Sequence, residues 1–314
     1  MTTFSTRPLD LQALIGFATK ATSARMPGLT YWNPGDIAWQ LGMLPASMDG
    51  SGFVRSWANP SGEVVALAVF EPPLNFQFDV LPGFPGGEEL AEKATGWAEE
   101  RWLASRDTSG EIPKAYEMLG ANTLSTTALE SDIARIAMLE RLGYERVDRH
   151  CVRYRRSLAA EVQPLPLPDG LHFAHATEGR LDERVDVHRD AWSVWGPSSF
   201  SASRYRRLRT TPIYDETLDL VVEDATGRML SCCICWFDVA NGIGHFEPVG
   251  TRPEFAGKGL GRALVTEGLR RLRERGAHTA LIGTASVNAA ALRTYTACGF
   301  DFVEREDFYS KVTA

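Results

Sequence analysis

Apolar and polar positions along the 314-residue chain follow two periods, and the switches between them lay out the elements. Leu11, Leu14, Ile15 and Ala18 recur at helical spacing and predict a helix over residues 10–24, ended by Pro27 and Gly28. Residues 52–57 and 64–70 read as two strands joined by Asn59-Pro60-Ser61-Gly62, which is hairpin chemistry. A further strand over 76–80, a Gly/Pro loop over 82–87 and a helical stripe of Leu90, Ala94 and Trp97 follow. Later in the chain, a helical region near residues 183–195 precedes runs at 218–223, 229–237 and 243–251. Turns at Asp224-Ala225-Thr226-Gly227 and Asp238-Val239-Ala240-Asn241-Gly242 divide these runs into three antiparallel strands. Val265, Leu269 and Leu272 then mark one face of a helix whose other faces carry Arg270, Arg271, Arg273 and Glu274.

The pattern occurs twice. Residues 132–149 end in Gly143-Tyr144-Glu145-Arg146-Val147-Asp148-Arg149, and about half a chain later Gly299-Phe300-Asp301-Phe302-Val303-Glu304-Arg305 closes a similar helix. The hairpin and the loop recur in the same order, as a duplicated domain requires. The Pro-rich stretch 161–170 between the halves reads as an extended linker. The expected organisation is a domain over 1–158, a linker over 159–170 and a second domain over 171–314. Each domain is α/β (α+β), with a mixed, mostly antiparallel sheet flanked by helices.

Composition narrows the function. A net charge of −7 argues against a nucleic-acid footprint. No apolar run approaches the roughly 20 residues that span a bilayer, and the first residues lack a signal pattern, so no membrane partner and a cytoplasmic location are expected. Cys232, Cys233 and Cys235 sit in an apolar run with no second ligand cluster, so they read as core cysteines and no metal is expected.

The stretch richest in chemistry is Ala256-Gly257-Lys258-Gly259-Leu260-Gly261-Arg262, between the last strand and the long helix. Glycines at alternate positions permit positive φ and bring the main chain close to a ligand. Free amides at a helix start, with Lys258 and Arg262 beside them, suit a phosphate. The spacing fits neither a nucleotide P-loop nor a dinucleotide fingerprint. With Gly244-His245-Phe246-Glu247-Pro248-Val249-Gly250-Thr251 upstream, and Asn288 and Tyr295 before Gly299-Phe300 downstream, the region resembles the GNAT superfamily of acyl-CoA-dependent N-acyltransferases. Gly259 and Gly261 match that family's loop, and Ala256 stands where it has Arg or Gln. The tandem arrangement is similar to that of the mycothiol synthases, although no residue singles out their acceptor.

The resemblance implies acetyl-CoA as cofactor, the pantetheine arm along Val249, Gly250 and Thr251, and the pyrophosphate on Gly257, Lys258, Gly259, Leu260, Gly261 and Arg262. It also implies that Asn288 contacts the arm and that the Tyr295 hydroxyl protonates the departing thiolate. Strand alternation puts His245, Glu247, Val249 and Thr251 on one face. Glu247 is therefore the expected general base, with His245 the second choice. Glu247→Gln is expected to slow the reaction most at low pH, where fewer amines are neutral. Asn288, Leu292, Tyr295 and Gly299 share one helical face, and Asn288 can cap the helix. By the same resemblance, Trp192, Trp195, Phe200, Tyr205, Arg206, Arg207 and Arg209 fall in the region that shapes the acceptor side.

In the first half, Pro85-Gly86-Gly87-Glu88-Glu89 places two carboxylates at the helix start, where they would repel a pyrophosphate. Leu139 and Asp132 stand where Tyr295 and Asn288 do. The first domain therefore reads as degenerate and the second as catalytic, acetylating a primary amine of a small molecule, as monomer or homodimer. The alternative is a non-catalytic acyl-CoA-binding sensor or scaffold.

Overall fold

The computed structural model describes residues 5–7, 10–42, 52–72, 74–105, 123–196 and 198–312. These residues form two compact units, and neither is one contiguous stretch. The first comprises 5–33, 52–151 and 304–312; the second comprises 34–42 and 152–303.

In the first unit, β1 (Ser5–Arg7), β2 (Val54–Ala58), β3 (Val64–Glu71) and β4 (Asn75–Val80) form an antiparallel run. The strand β5 (Thr123–Leu129) joins β4 in parallel at a single register point, Asn75↔Ser125. Its other edge pairs antiparallel with β12 (Asp301–Val312), from Glu306↔Leu129 to Val312↔Thr123. Helix α1 (Leu11–Arg25) starts at Asp10, whose carboxylate accepts from the Ala13 amide at 3.1 Å. The stripe predicted on α3 (Gly87–Ser105) is buried: Leu90, Ala94 and Trp97 pack with Phe76, Phe78 and, from α4 (Ile133–Arg141), Met138 and Leu139.

The second unit has strand order β6-β11-β10-β9-β8-β7. Its strands are residues 152–157 of β6 (Glu145–Ser157), β7 (Leu171–His175), β8 (Asp219–Asp224), β9 (Met229–Asp238), β10 (Ile243–Thr251) and β11 (Thr279–Ala285). Those from β7 to β10 are antiparallel, and β10 meets β11 in parallel only over Ile243↔Thr279 to His245↔Leu281. On one face lie α7 (Leu260–Glu274) and α8 (Ala289–Ala297), burying Leu264, Leu269, Leu272 and Tyr295 against Phe246, Cys233 and Cys235. On the other lie α2 (Pro34–Gly42), α5 (Leu181–Trp192) and α6 (Ala202–Leu208), burying Ala38, Val185, Tyr205 and Leu208 against Ile234 and Trp236. The cysteines Cys232, Cys233 and Cys235 are buried strand residues of β9, as read from the sequence.

Three segments depart from contiguous halves. Residues 34–42 and 152–158 sit with the second unit, and 304–312 with the first. The strands β6 and β12 follow similar helix–glycine–aromatic junctions, at Gly143-Tyr144 and Gly299-Phe300. The stretch 159–170 has no helix or strand, yet it is no free spacer: Val162 is 3% exposed and lies in the second unit's core with Leu158. Among the described residues, no helix is long and apolar enough to cross a membrane.

Candidate active site

The glycine loop becomes the start of α7. Gly259 is its N-cap at φ 81°, and Gly257 also lies in the left-handed region at φ 76°. Gly261 has no positive φ and belongs to the first helical turn, so the alternate spacing does not mean three identical conformations. No side chain caps the helix. None of the amides from Gly257 to Arg262 donates a hydrogen bond to another described residue. Lys258 lies exposed over the Phe255 ring at 4.7 Å, and Arg262 is exposed. The loop thus offers a row of donors at the positive end of a 15-residue helix.

The strand leading into this loop is not regular, and this corrects the expected alternation. The β10–β9 register runs from Ile243↔Asp238 to Phe246↔Cys235 and resumes at Val249↔Cys233. Glu247 and Pro248 therefore oppose Ile234 alone, a β-bulge that inverts every side chain beyond it. His245 lies on the α2 side of the sheet, with Nδ1 3.6 Å from the Asp36 carboxylate. Val249 instead packs into the core that includes α7, and Thr251 lies beside Gly261. Gly250 then faces α5, where a Cβ would stand 2.3 Å from the Trp192 ring, so only glycine admits that helix. His245, Glu247, Val249 and Thr251 do not share one face.

The bulge leaves Glu247 half-buried at the point where β10 leaves β11. Its carbonyl accepts from Trp236 Nε1 at 2.7 Å, which helps hold the irregular turn of backbone. Burial pushes the Glu247 carboxyl up to about 7; the Asp36 charge adds to the rise and Arg153 opposes it. His245 is 4% exposed, and burial holds its imidazole below the usual range, against the pull of Asp36. A carboxyl that titrates near neutrality can accept a proton from an amine far better than a fully solvated one.

Tyr295 is 6% exposed on α8, edge-on to Tyr154 at 6.4 Å between ring centres. Its hydroxyl makes no hydrogen bond to another described residue. Burial, followed by the Glu247 charge, raises it far above the usual phenol range, so it keeps its proton at rest. Asn288 caps α8 as read from the sequence, its Oδ1 accepting from the Ala291 amide at 3.2 Å.

Two residues around Glu247 were not legible as site residues. Asp36 comes from α2, more than two hundred positions upstream; its local signal was a Pro at the first helical position and an acid in the first turn. Arg153 comes from β6 and lies against Gly283 of β11, 3.2 Å from where a Cβ would be. Of the aromatic and basic stretch, Phe200 and Tyr205 are core residues, Arg209 pairs with Tyr214 and Glu216, and Trp195 is exposed.

Residues 184–300 match the acetyltransferase (GNAT) family. The chain is 30% identical over 188 residues to a mycothiol acetyltransferase of Saccharomonospora viridis, covering 57% of this chain and 60% of that protein. It is 47% identical over 174 residues to one of Nocardia farcinica, covering 52% and 56%. The chain thus spans less than two thirds of the length of these curated relatives. In fold, it is similar over 98% of its length to a GCN5-related N-acetyltransferase from Sphaerobacter thermophilus, with TM-score 0.63, 19% identity and 95% of that chain covered. It is also similar to a tandem GNAT protein from the clavulanic acid biosynthesis pathway, with TM-score 0.61, 16% identity and 98% of each chain covered. Residues 184–300 thus match the GNAT acetyltransferase family model, and the fold of the chain is similar to that of a tandem GNAT protein.

Proposed function

We propose that the second unit transfers an acetyl group from acetyl-CoA to the primary amine of a small molecule by direct attack. The observation that carries this reading is Glu247, a half-buried carboxyl titrating near 7 at the mouth between β10 and β11. Glu247 takes a proton from the bound ammonium, directly or through water, so that the neutral amine attacks the thioester carbonyl, and Asp36 supplies a second negative charge to draw the cation in. The amides of Gly257 to Arg262 bind the pyrophosphate, with Lys258 and Arg262 adding charge. Backbone of Val249, Gly250 and Thr251 and the Asn288 side chain hold the arm, and Tyr295 protonates the thiolate as the C–S bond breaks. His245 shapes the carboxylate pair. The first unit is degenerate in this scheme.

The acceptor we favour is an amine on a thiol-bearing sugar conjugate of the mycothiol type, a choice supported by the relatives' names and by the tandem fold. The test is steady-state acetylation of a panel of amines that includes this conjugate, aminoglycosides and amino acids. Acetyl-CoA bound one-to-one, with no amine acetylated, would replace the enzyme by an acyl-CoA-binding sensor or scaffold.

Two substitutions refine the roles. Tyr295→Phe is expected to lower kcat on the order of 10²-fold, with acetyl-CoA affinity unchanged in a calorimetric titration; an unchanged kcat removes Tyr295 as the acid. Asp36→Asn removes the negative charge that helps raise Glu247, so the acid limb of the pH–rate profile is expected to move below 7. A limb that stays in place or moves up would show that Asp36 does not act on Glu247.

A further inference from the structure

On the internal repeat, Gly143 aligns with Gly299, Leu139 with Tyr295 and Asp132 with Asn288, which sets Arg135 where the second half has Ala291. That exchange of a small side chain for a large cation falls at the first unit's own divergent strand pair. Beyond Asn75↔Ser125, β4 and β5 part, and the backbone groups facing the gap lose their sheet partners. Such groups, lining a narrow cleft, are what an extended ligand with amides along its length would use.

In this unit three of these groups are already taken, the carbonyls of Phe78 and Val80 and the amide of Leu129. Arg135 Nη1 donates to the Phe78 carbonyl of β4 at 2.8 Å, and Nη2 lies 3.5 Å from Thr126 Oγ1 of β5. Its guanidinium lies between two rings, 3.6 Å from the centre of Phe78 and 3.9 Å from that of Tyr31. The Tyr31 hydroxyl accepts from the Leu129 amide of β5 at 3.1 Å and donates to Asp132 Oδ2 at 2.9 Å. At the strand's far end Arg25 donates to the Val80 carbonyl at 3.2 Å while pairing with Asp79 at 2.8 Å. Arg135 and Tyr31 are each 6% exposed. Removing this arginine would strip a buried carbonyl of its donor and two rings of their cation, a loss that an entering ligand would have to match.

We infer that the first unit's cleft is closed from within, Arg135 and Tyr31 holding the Phe78 carbonyl and the Leu129 amide that an extended amide-bearing ligand would need. The cleft between β4 and β5 is part of that unit's core, and the closure is independent of the acidic helix start at Glu88 and Glu89. Acetyl-CoA serves below as a probe, which rests on the proposed function, so a second readout that needs no ligand accompanies it.

The titration uses the full chain carrying Gly259→Val and Gly261→Val, which disables the second unit's loop. With Arg135 in place it is expected to take up neither acetyl-CoA nor pantetheine, the latter lacking the phosphates that Glu88 and Glu89 would repel. Adding Arg135→Ala, Tyr31→Phe, Glu88→Gln and Glu89→Gln is expected to open one site per chain. Uptake with Arg135 in place overturns the inference, as does no uptake by an opened variant whose circular dichroism is unchanged. Should the opened variant not fold, or the wild type bind no acetyl-CoA, amide exchange at Leu129 decides. It is expected to be at least tenfold faster in Tyr31→Phe than in the unliganded wild type, and equal rates overturn the inference.

Discussion

Glu247→Gln is expected to lower kcat/KM for the amine acceptor by about 10²- to 10⁴-fold at pH 8, the range over which a positioned proton acceptor acts. The loss should shrink as pH falls below 7. With its carboxyl pushed up to about 7, the wild-type residue is itself largely protonated there and no better a base than Gln. This reverses the expectation from the free carboxylate, which would remain ionised down to its ordinary range near 4 and so be missed most at low pH. The physical change is desolvation at the bulge, with Asp36 adding to it.

A stability measurement checks the same shift without any substrate. A carboxyl raised in the folded state binds its proton more tightly there than in the unfolded chain. The stability it contributes is present below the ordinary carboxylate range and is lost as pH rises through about 7. Gln cannot ionise, so the melting temperature of Glu247→Gln relative to wild type should rise between pH 5 and pH 8. A relative melting temperature that is flat over that window would place the Glu247 pKa back in the ordinary range and remove the reason for choosing it as base.

Changing Gly259 and Gly261 together to Val is expected to weaken acetyl-CoA binding by about 10²- to 10⁴-fold, as judged from two charge-assisted hydrogen bonds of about 1.5–3 kcal/mol each. Gly259 sits at φ 81°, where a β-branched residue is strained, so the N-cap must re-form and the donor row is displaced. At Gly261 a Cβ would stand 3.5 Å from Thr251 Oγ1, and the two further methyls of Val crowd the strand end that would lie along the cofactor. The rest of α7 is held by Leu264, Leu269 and Leu272 in the core, so the variant should remain folded. Binding within threefold of wild type, in a variant with an intact melting transition, would exclude this loop as the phosphate site.

The internal repeat was legible because both copies end in the same local chemistry, a capped helix running into glycine and an aromatic residue. Asp132 and Asn288 both act as N-caps, accepting from Arg135 N at 3.0 Å and Ala291 N at 3.2 Å. What separates the two clefts was harder to see, because it turns on one residue of each helix. Ala291 packs on the second unit's core, whereas Arg135 reaches across the gap to Phe78 and Thr126. The signal present in the sequence was Arg135 standing where the otherwise similar second helix has Ala291.

Read alone, the sequence determined the first hairpin, the three strands that lead into the glycine loop, the start of α7 at that loop, the Asn288 cap, the buried cysteines and the repeated helix–glycine–aromatic junction. Each of these follows from interactions within a turn or two of chain: periodicity, capping and turn chemistry. Only the tertiary structure decided the bulge at Glu247, the arrival of Asp36 and Arg153 beside it, the exchange of 304–312 for 152–157 and the closed cleft at Arg135. Those depend on which distant strands pair and how much water is expelled between them, and neither the register of a long-range pairing nor the desolvation of a carboxyl is encoded in its neighbours along the chain.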